Sequence, residues 1–188
     1  MDGPKLKNSM PQKRLNNQIF RVNAKRLSTT SAYQGYDSPI GLLHILASNS
    51  HILAIMFASD FEDHHNYFDL KSNKVTNLAT KELEMYFCGK LKKFSVPVSS
   101  TGTIFQSHCE TFLKAIPFGE TRTYLQQATS VKSSKHARAV AGANAKNPIS
   151  IIVPCHRVLG SHPRSGGYAG GVESKQKLLF LEKYGYLP

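Results

Sequence analysis

The chain has 188 residues, 40% of them apolar, and sets 24 lysines and arginines against 12 acidic residues for a formal charge of +12. That length holds one substantial core or two small ones, no apolar run approaches a membrane span, and the polar, basic start lacks the apolar stretch of a secretory signal. The excess charge favours a polyanionic partner, nucleic acid or an anionic membrane surface, over mere solubility. The three cysteines, Cys88, Cys109 and Cys155, have no framework-like spacing and point to free thiols in a reducing compartment.

Residues 1–32 carry seven basic side chains, among them Lys13, Arg14, Lys25 and Arg26, against the single acid Asp2. With little to bury, this stretch reads as a disordered basic arm. Apolar segments then follow at Ile40 to Ala47 and His51 to Phe57, separated by Ser48-Asn49-Ser50, which is a hairpin pattern. Asp60-Phe61-Glu62-Asp63-His64-His65 has metal-binding residue types but no second cluster at ligand spacing, so it reads as a solvated loop. Asn77 precedes Leu78, Leu83, Met85, Tyr86 and Phe87, an N-cap and amphipathic helix ending near Gly89, and Lys90 to Val98 reads as a linker or short strand. Residues 33–98 thus form a small α+β unit with no evident chemistry.

The second half, residues 101–188, is different in texture. Thr103 and Gln106 form a capping box ahead of a helical stripe of Ile104, Phe105, Cys109, Phe112, Leu113 and Ile116, which makes Cys109 a core residue. A second box, Thr123 to Gln126, opens a short helix, and Ser133-Ser134 opens another from Lys135 to about Ala145. Two short helices joined by a polar turn in a basic protein suggest a helix-turn-helix. The second of them bears Lys135, His136 and Arg138 at its start and then Ala137, Ala139, Ala141, Gly142 and Ala143, small residues that permit close approach to a large partner or, equally, tight internal packing.

Asn147-Pro148 breaks that helix, and the apolar run Ile149, Ile151, Ile152 and Val153 leads through Pro154 to Cys155 and His156. Buried backbone ending in a proline delivers the cysteine on a rigid turn, and an adjacent imidazole can take its proton, so the pair suits nucleophilic chemistry. A glycine-rich loop, Gly160 to Gly171, is too irregular for a nucleotide fingerprint and suits either backbone brought against a flat ligand or a mobile hairpin. The last helix, about Val172 to Tyr184 with Gly185 after it, places Glu182 on the face of Leu178 and Leu179, where it either pairs, His156 being a candidate, or turns outward.

Pro154-Cys155-His156-Arg157-Val158, preceded by Asn147-Pro148 and the Ala137-Arg138-Ala139-Val140 helix and followed by Tyr168-Ala169-Gly170-Gly171, resembles the O6-alkylguanine-DNA alkyltransferase family. The resemblance is strong from about Thr101 to Leu187, thin over residues 33–98 and absent from the arm. It implies an α+β architecture, with a small ribonuclease H-like N-terminal domain and a winged helix-turn-helix-like C-terminal domain. It also implies DNA repair by direct reversal: single, irreversible transfer of an alkyl group from guanine O6, less efficiently from thymine O4, to Cys155 after base flipping.

On this resemblance His156 and Glu182 relay the thiol proton through a water, Tyr124 protonates the departing guanine and Asn147 is the hinge to the recognition helix. Arg138 is the finger filling the gap in the duplex, with Tyr124, Ala137, Lys135 and Arg157 also at the DNA. Val158, Tyr168 and Ala169 surround the flipped base, and Lys175 matches a lysine near the same pocket. Ser150, Gly167 and Ala169 depart from residues common among relatives, which bears on the range of alkyl groups. No cofactor or metal is implied, since the zinc ligands of some relatives have no counterpart. The expected partner is double-stranded DNA met in its minor groove by a monomer, without membrane contact and in the nucleus. A lesion-binding module or a cysteine hydrolase is the competing reading.

Overall fold

The computed structural model describes residues 28–61, 67–100, 102–160 and 167–188. The arm up to residue 27, positions 62–66 of the acidic, His-rich loop and positions 161–166 of the glycine-rich loop lie outside them.

The N-terminal unit is an antiparallel meander of β1 (Ala32–Ser38), β2 (Gly41–Ala47) and β3 (Ile52–Phe57). β2 and β3 are the hairpin that the sequence predicts. β1 is an addition: Gln34, Gly35 and Asp37 give it a weak strand signature because it lies at the sheet edge and is only partly buried. β2 is central and covered on both faces, Leu43, Ile45 and Ala47 packing into the main core and Leu46 joining Ala54 and Tyr67 on the other side. Hence its last five residues are all buried, His44 among four apolar ones, instead of alternating between buried and exposed.

Helix α1 (Lys74–Phe87) lays Val75, Ala79, Leu83, Tyr86 and Phe87 against that sheet. Its cap is Asn73, not Asn77: Asn73 Oδ1 accepts from Val75 N at 2.9 Å and Thr76 N at 3.0 Å, and Asn77 N already donates to Asn73 O one turn inside. The segment after α1 has no regular strand. It is held by Glu82, whose carboxylate accepts from Ser95 N and Val96 N, and by one bridge from Val98 to Ile52.

In the C-terminal unit, α2 (Ile104–Lys114), α3 (Tyr124–Val131) and α4 (Ala137–Ala145) pack around Cys109, Ala128 and Val140. Both predicted capping boxes form, at Thr103/Gln106 and Thr123/Gln126. A buried amide pair sets the α3–α4 angle: Gln127 Nε2 donates to Asn144 Oδ1 at 3.1 Å and Asn144 Nδ2 to Gln127 Oε1 at 2.7 Å. The strands β4 (Arg122–Thr123) and β5 (Val158–Leu159) pair in parallel, tying the start of α3 to the chain just past Cys155. Helix α5 (Gly171–Tyr184) closes on Gly185, whose φ of 83° lets its N–H reach Leu181 O.

The two units share one core. Ile149, Ile151, Val153, Leu178 and Leu181 pack with Leu43, Ile45, Ile55 and Leu83. The segment approaching Cys155 also bonds to the sheet edge, Ile55 N donating to Pro148 O at 2.9 Å and Ser150 N to Ile55 O at 3.1 Å. The apolar run is buried as expected, yet it is wound into turns. Ile151 adopts φ 72°, a left-handed conformation that a β-branched residue holds only under strain, about 1–3 kcal/mol.

Candidate active site

Cys155 opens a short 3-10 turn, Cys155–Arg157, and is only half-buried. Asn147, at the end of the recognition helix, clamps this turn. Its Nδ2 donates to Val153 O at 2.8 Å and to Cys155 Sγ at 3.3 Å, while its Oδ1 accepts from Ile149 N at 3.0 Å. A donor aimed at sulfur stabilises negative charge there. Lys175 adds a cation: its buried ammonium donates to Val158 O at 2.8 Å, burial pushes its pKa down, and the neighbouring Cys155 partly offsets that.

His156 is fully buried, with Nε2 2.8 Å from Glu182 Oε1. An ionised carboxylate only accepts, so Nε2 carries the proton and Nδ1 presents a lone pair, with no hydrogen-bond partner among the described residues. Burial lowers the imidazole pKa, Glu182 opposes this, and Arg157 and Lys175 reinforce it, which keeps His156 a neutral base. Glu182 itself is pushed up by burial, but hydrogen bonds and charge from His156 and Arg157 outweigh this and bring it down to about 2. With His156 neutral, the permanent charge holding Glu182 ionised is Arg157.

The carboxylate is surrounded by donors. Oε1 accepts from Tyr86 Oη at 2.7 Å, His156 Nε2 at 2.8 Å and Arg157 Nη2 at 3.0 Å. Oε2 accepts from Arg157 Nε at 2.9 Å and Gly119 N at 3.2 Å. Tyr86 and Gly119 were not among the expected site residues. Gly119 sits in a Pro-Phe-Gly turn with φ 81°, which the sequence marks as a turn without showing what its N–H would meet.

A cavity of about 210 Å³ lies against Cys155, bounded by Asn147, by Ala141, Asn144 and Ala145 of α4, and by Gly167, Tyr168 and Ala169. It joins the small-residue face of the recognition helix to the thiol. Tyr168 stands edge-on to Phe57 at 5.6 Å and to His156 at 6.2 Å, so the sheet of the N-terminal unit supports its roof. Tyr124, half-buried at the start of α3, keeps its phenolic proton because burial and the nearby Cys155 both raise its pKa.

The family model for the ribonuclease-like domain of 6-O-methylguanine DNA methyltransferase matches residues 32–100, and the model for its DNA binding domain matches residues 104–184. The chain belongs to this family. It is 40% identical over 156 residues to a Methanosarcina barkeri methylated-DNA–protein-cysteine methyltransferase, covering 80% of this chain and 96% of that one. With a Haemophilus influenzae protein of the same name the identity is 39% over 165 residues, covering 85% and 90%. A crystal structure of Mycobacterium tuberculosis OGT in complex with DNA aligns at a TM-score of 0.75 and 37% identity, covering 83% of this chain and 95% of that one.

Of the residues that the resemblance names, Cys155, His156, Glu182, Asn147 and Lys175 converge on one site, and Tyr124, Tyr168, Ala169 and the buried Val158 border it. Glu182 pairs inward instead of turning to solvent. The carbonyls expected to read the base are each already engaged, Val158 O by Lys175 and Cys155 O by Val158 N, which leaves each one further lone pair. Arg138 and Lys135 are exposed and Ala137 half-buried at the head of α4.

Arg157 is a correction. Expected at the DNA, it is buried, with Nη1 donating to Ile116 O at 2.6 Å and Nε and Nη2 spent on Glu182. Its place beside Cys155 and His156 reflects service to the carboxylate, and its burial beneath the surface keeps the guanidinium away from a phosphate. Among the described residues no cluster of three metal-ligating side chains occurs, and no helix is long and apolar enough to cross a membrane.

Proposed function

We propose that this protein repairs alkylated DNA by moving the alkyl group from guanine O6 to Cys155, once per molecule. The observation that carries this is the placement of a half-buried thiol, clamped by Asn147, at the floor of a small cavity reached from the recognition helix and backed by the neutral His156 base and its ionised Glu182.

The thiol proton passes towards His156 Nδ1, the free lone pair, by way of a relaying water. Sulfur then attacks the alkyl carbon, the carbon–O6 bond breaks, and its electron pair stays with guanine, which takes a proton from Tyr124. The products are a thioether and intact guanine. Water does not cleave a thioether at a useful rate, so Cys155 is not regenerated, and the damaged DNA is the only alkyl donor needed. The lesion reaches the cavity by flipping out of the duplex, with the exposed Arg138 taking its place in the stack and the small residues of α4 lying along the minor groove. The protein acts as a monomer on double-stranded DNA, repairs O4-alkylthymine less efficiently, and works where genomic DNA is kept, the nucleus in a cell that has one.

The test is duplex DNA carrying methyl-labelled O6-methylguanine, with the label followed in wild type and Cys155→Ala. Label on the protein, no more than one per molecule and absent from the variant, supports the reading. Label left on bound DNA would favour a lesion-binding module, and multiple turnovers would refute the single-use step.

A further inference from the structure

We propose that Tyr86, supplied by the N-terminal unit, is a positioning residue for alkyl transfer, acting by holding the Glu182 oxygen that orients His156. The inference rests on the reading of Cys155 as alkyl acceptor and deepens it, because it makes the otherwise chemistry-free first half of the chain part of the proton relay.

Tyr86 is fully buried in α1 among Phe87, Phe94 and Phe118, where phenylalanine would fill the same space without bringing a hydroxyl into the core. A buried hydroxyl costs free energy unless bonded. Among the described residues its one partner is Glu182 Oε1, at 2.7 Å and 96 positions along the chain, the atom that also receives His156 Nε2 at 2.8 Å. Burial and Glu182 keep this phenol protonated, so it is a permanent donor.

Three donors on Oε1, from Tyr86, His156 and Arg157, share its charge. The Tyr86 bond therefore moderates the pull of Glu182 on the imidazole and fixes the plane in which the carboxylate presents itself. The other groups facing His156 are Arg157 and Lys175, which disfavour imidazolium, together with the Tyr168 ring. None of these replaces the Tyr86 hydroxyl. Without it, Glu182 stabilises imidazolium more strongly, and His156 becomes protonated at a higher pH.

The experiment is single-turnover alkyl transfer from O6-methylguanine duplex DNA by the full chain, wild type against Tyr86→Phe, across pH 5 to 9. It is paired with NMR titration of His156 in both proteins, the signal assigned with His156→Gln. The expected result is transfer slowed about tenfold at neutral pH, the scale of one hydrogen bond to a charged group. The acid limb and the His156 titration both move up by about one pH unit, with DNA affinity unchanged. Unmoved titration and an unmoved acid limb would overturn the proposal, even if the rate or stability fell, since that would mean Tyr86 only packs. Should wild type transfer no label, the proposed function fails instead, while the titration still tests the contact.

Discussion

At the scale of single residues, the site holds His156 neutral, Glu182 ionised and the Tyr124 phenol protonated. Cys155→Ala removes the acceptor yet leaves the exposed face of α4 intact, so gel-shift assays with alkylated duplex should show binding retained while transfer is abolished. Arg138→Ala should cost transfer far more than affinity. Flipping a base costs a few kcal/mol, so on the proposed role of Arg138 in filling the gap its loss should slow single-turnover transfer roughly a hundredfold. The pH dependence follows from the direction of the His156 shift: its pKa is lowered, so the neutral base persists below 6.5, the usual histidine value, and transfer rates should hold as pH falls through that value before declining.

At the scale of elements, the recognition helix is positioned by polar contacts that a purely apolar packing would not supply. Asn144→Ala strips Gln127 of two of its bonds and leaves it only the carbonyl of Cys109, at 3.3 Å. The expected loss is about 1–3 kcal/mol in chemical denaturation, with DNA affinity falling as α4 loosens. Gly170 illustrates a different constraint: a Cβ there would lie 2.5 Å from the Phe57 ring, so Gly170→Ala must displace Phe57 and with it Tyr168 over the cavity. Slower transfer with little change in the affinity for unmodified DNA is the outcome to look for.

At the scale of the molecule, the two units are joined by a shared core and by the buried Tyr86–Glu182–Arg157 cluster, which ties stability to pH. The folded pKa of Glu182 is depressed from 4.5 to about 2, so its contribution is complete above 4.5 and is lost as pH falls towards 2. His156, buried and neutral, adds a loss beginning below 6.5 as the unfolded chain gains a proton that the folded one refuses. Thermal unfolding at intervals from pH 7 to pH 3 should show stability falling throughout, and Glu182→Gln should flatten the lower part of that curve. The net charge of +12 bears on the encounter with DNA, which should weaken steeply as salt rises.

Much of this was legible in the linear chain. The capping residues Thr103 and Thr123, the break at Asn147-Pro148, the αL stop at Gly185 and the Cys155-His156 pair are local signals, set by backbone dihedrals and by side chains within a few positions of one another. The cap of α1 was misplaced by four residues because Asn73 and Asn77 are chemically equivalent and only the register against the sheet separates them. The edge strand β1 lacked a pattern because half-buried positions tolerate glycine and aspartate. Local spacing thus placed a cysteine and a histidine on one turn and the short helices ahead of them, and the resemblance supplied their expected roles. That Arg157 turns inward, that Glu182 is held by five donors, and that Tyr86 from the other half of the chain is one of them came from packing alone, because hydrogen bonds between groups brought together by a core leave no trace in sequence spacing.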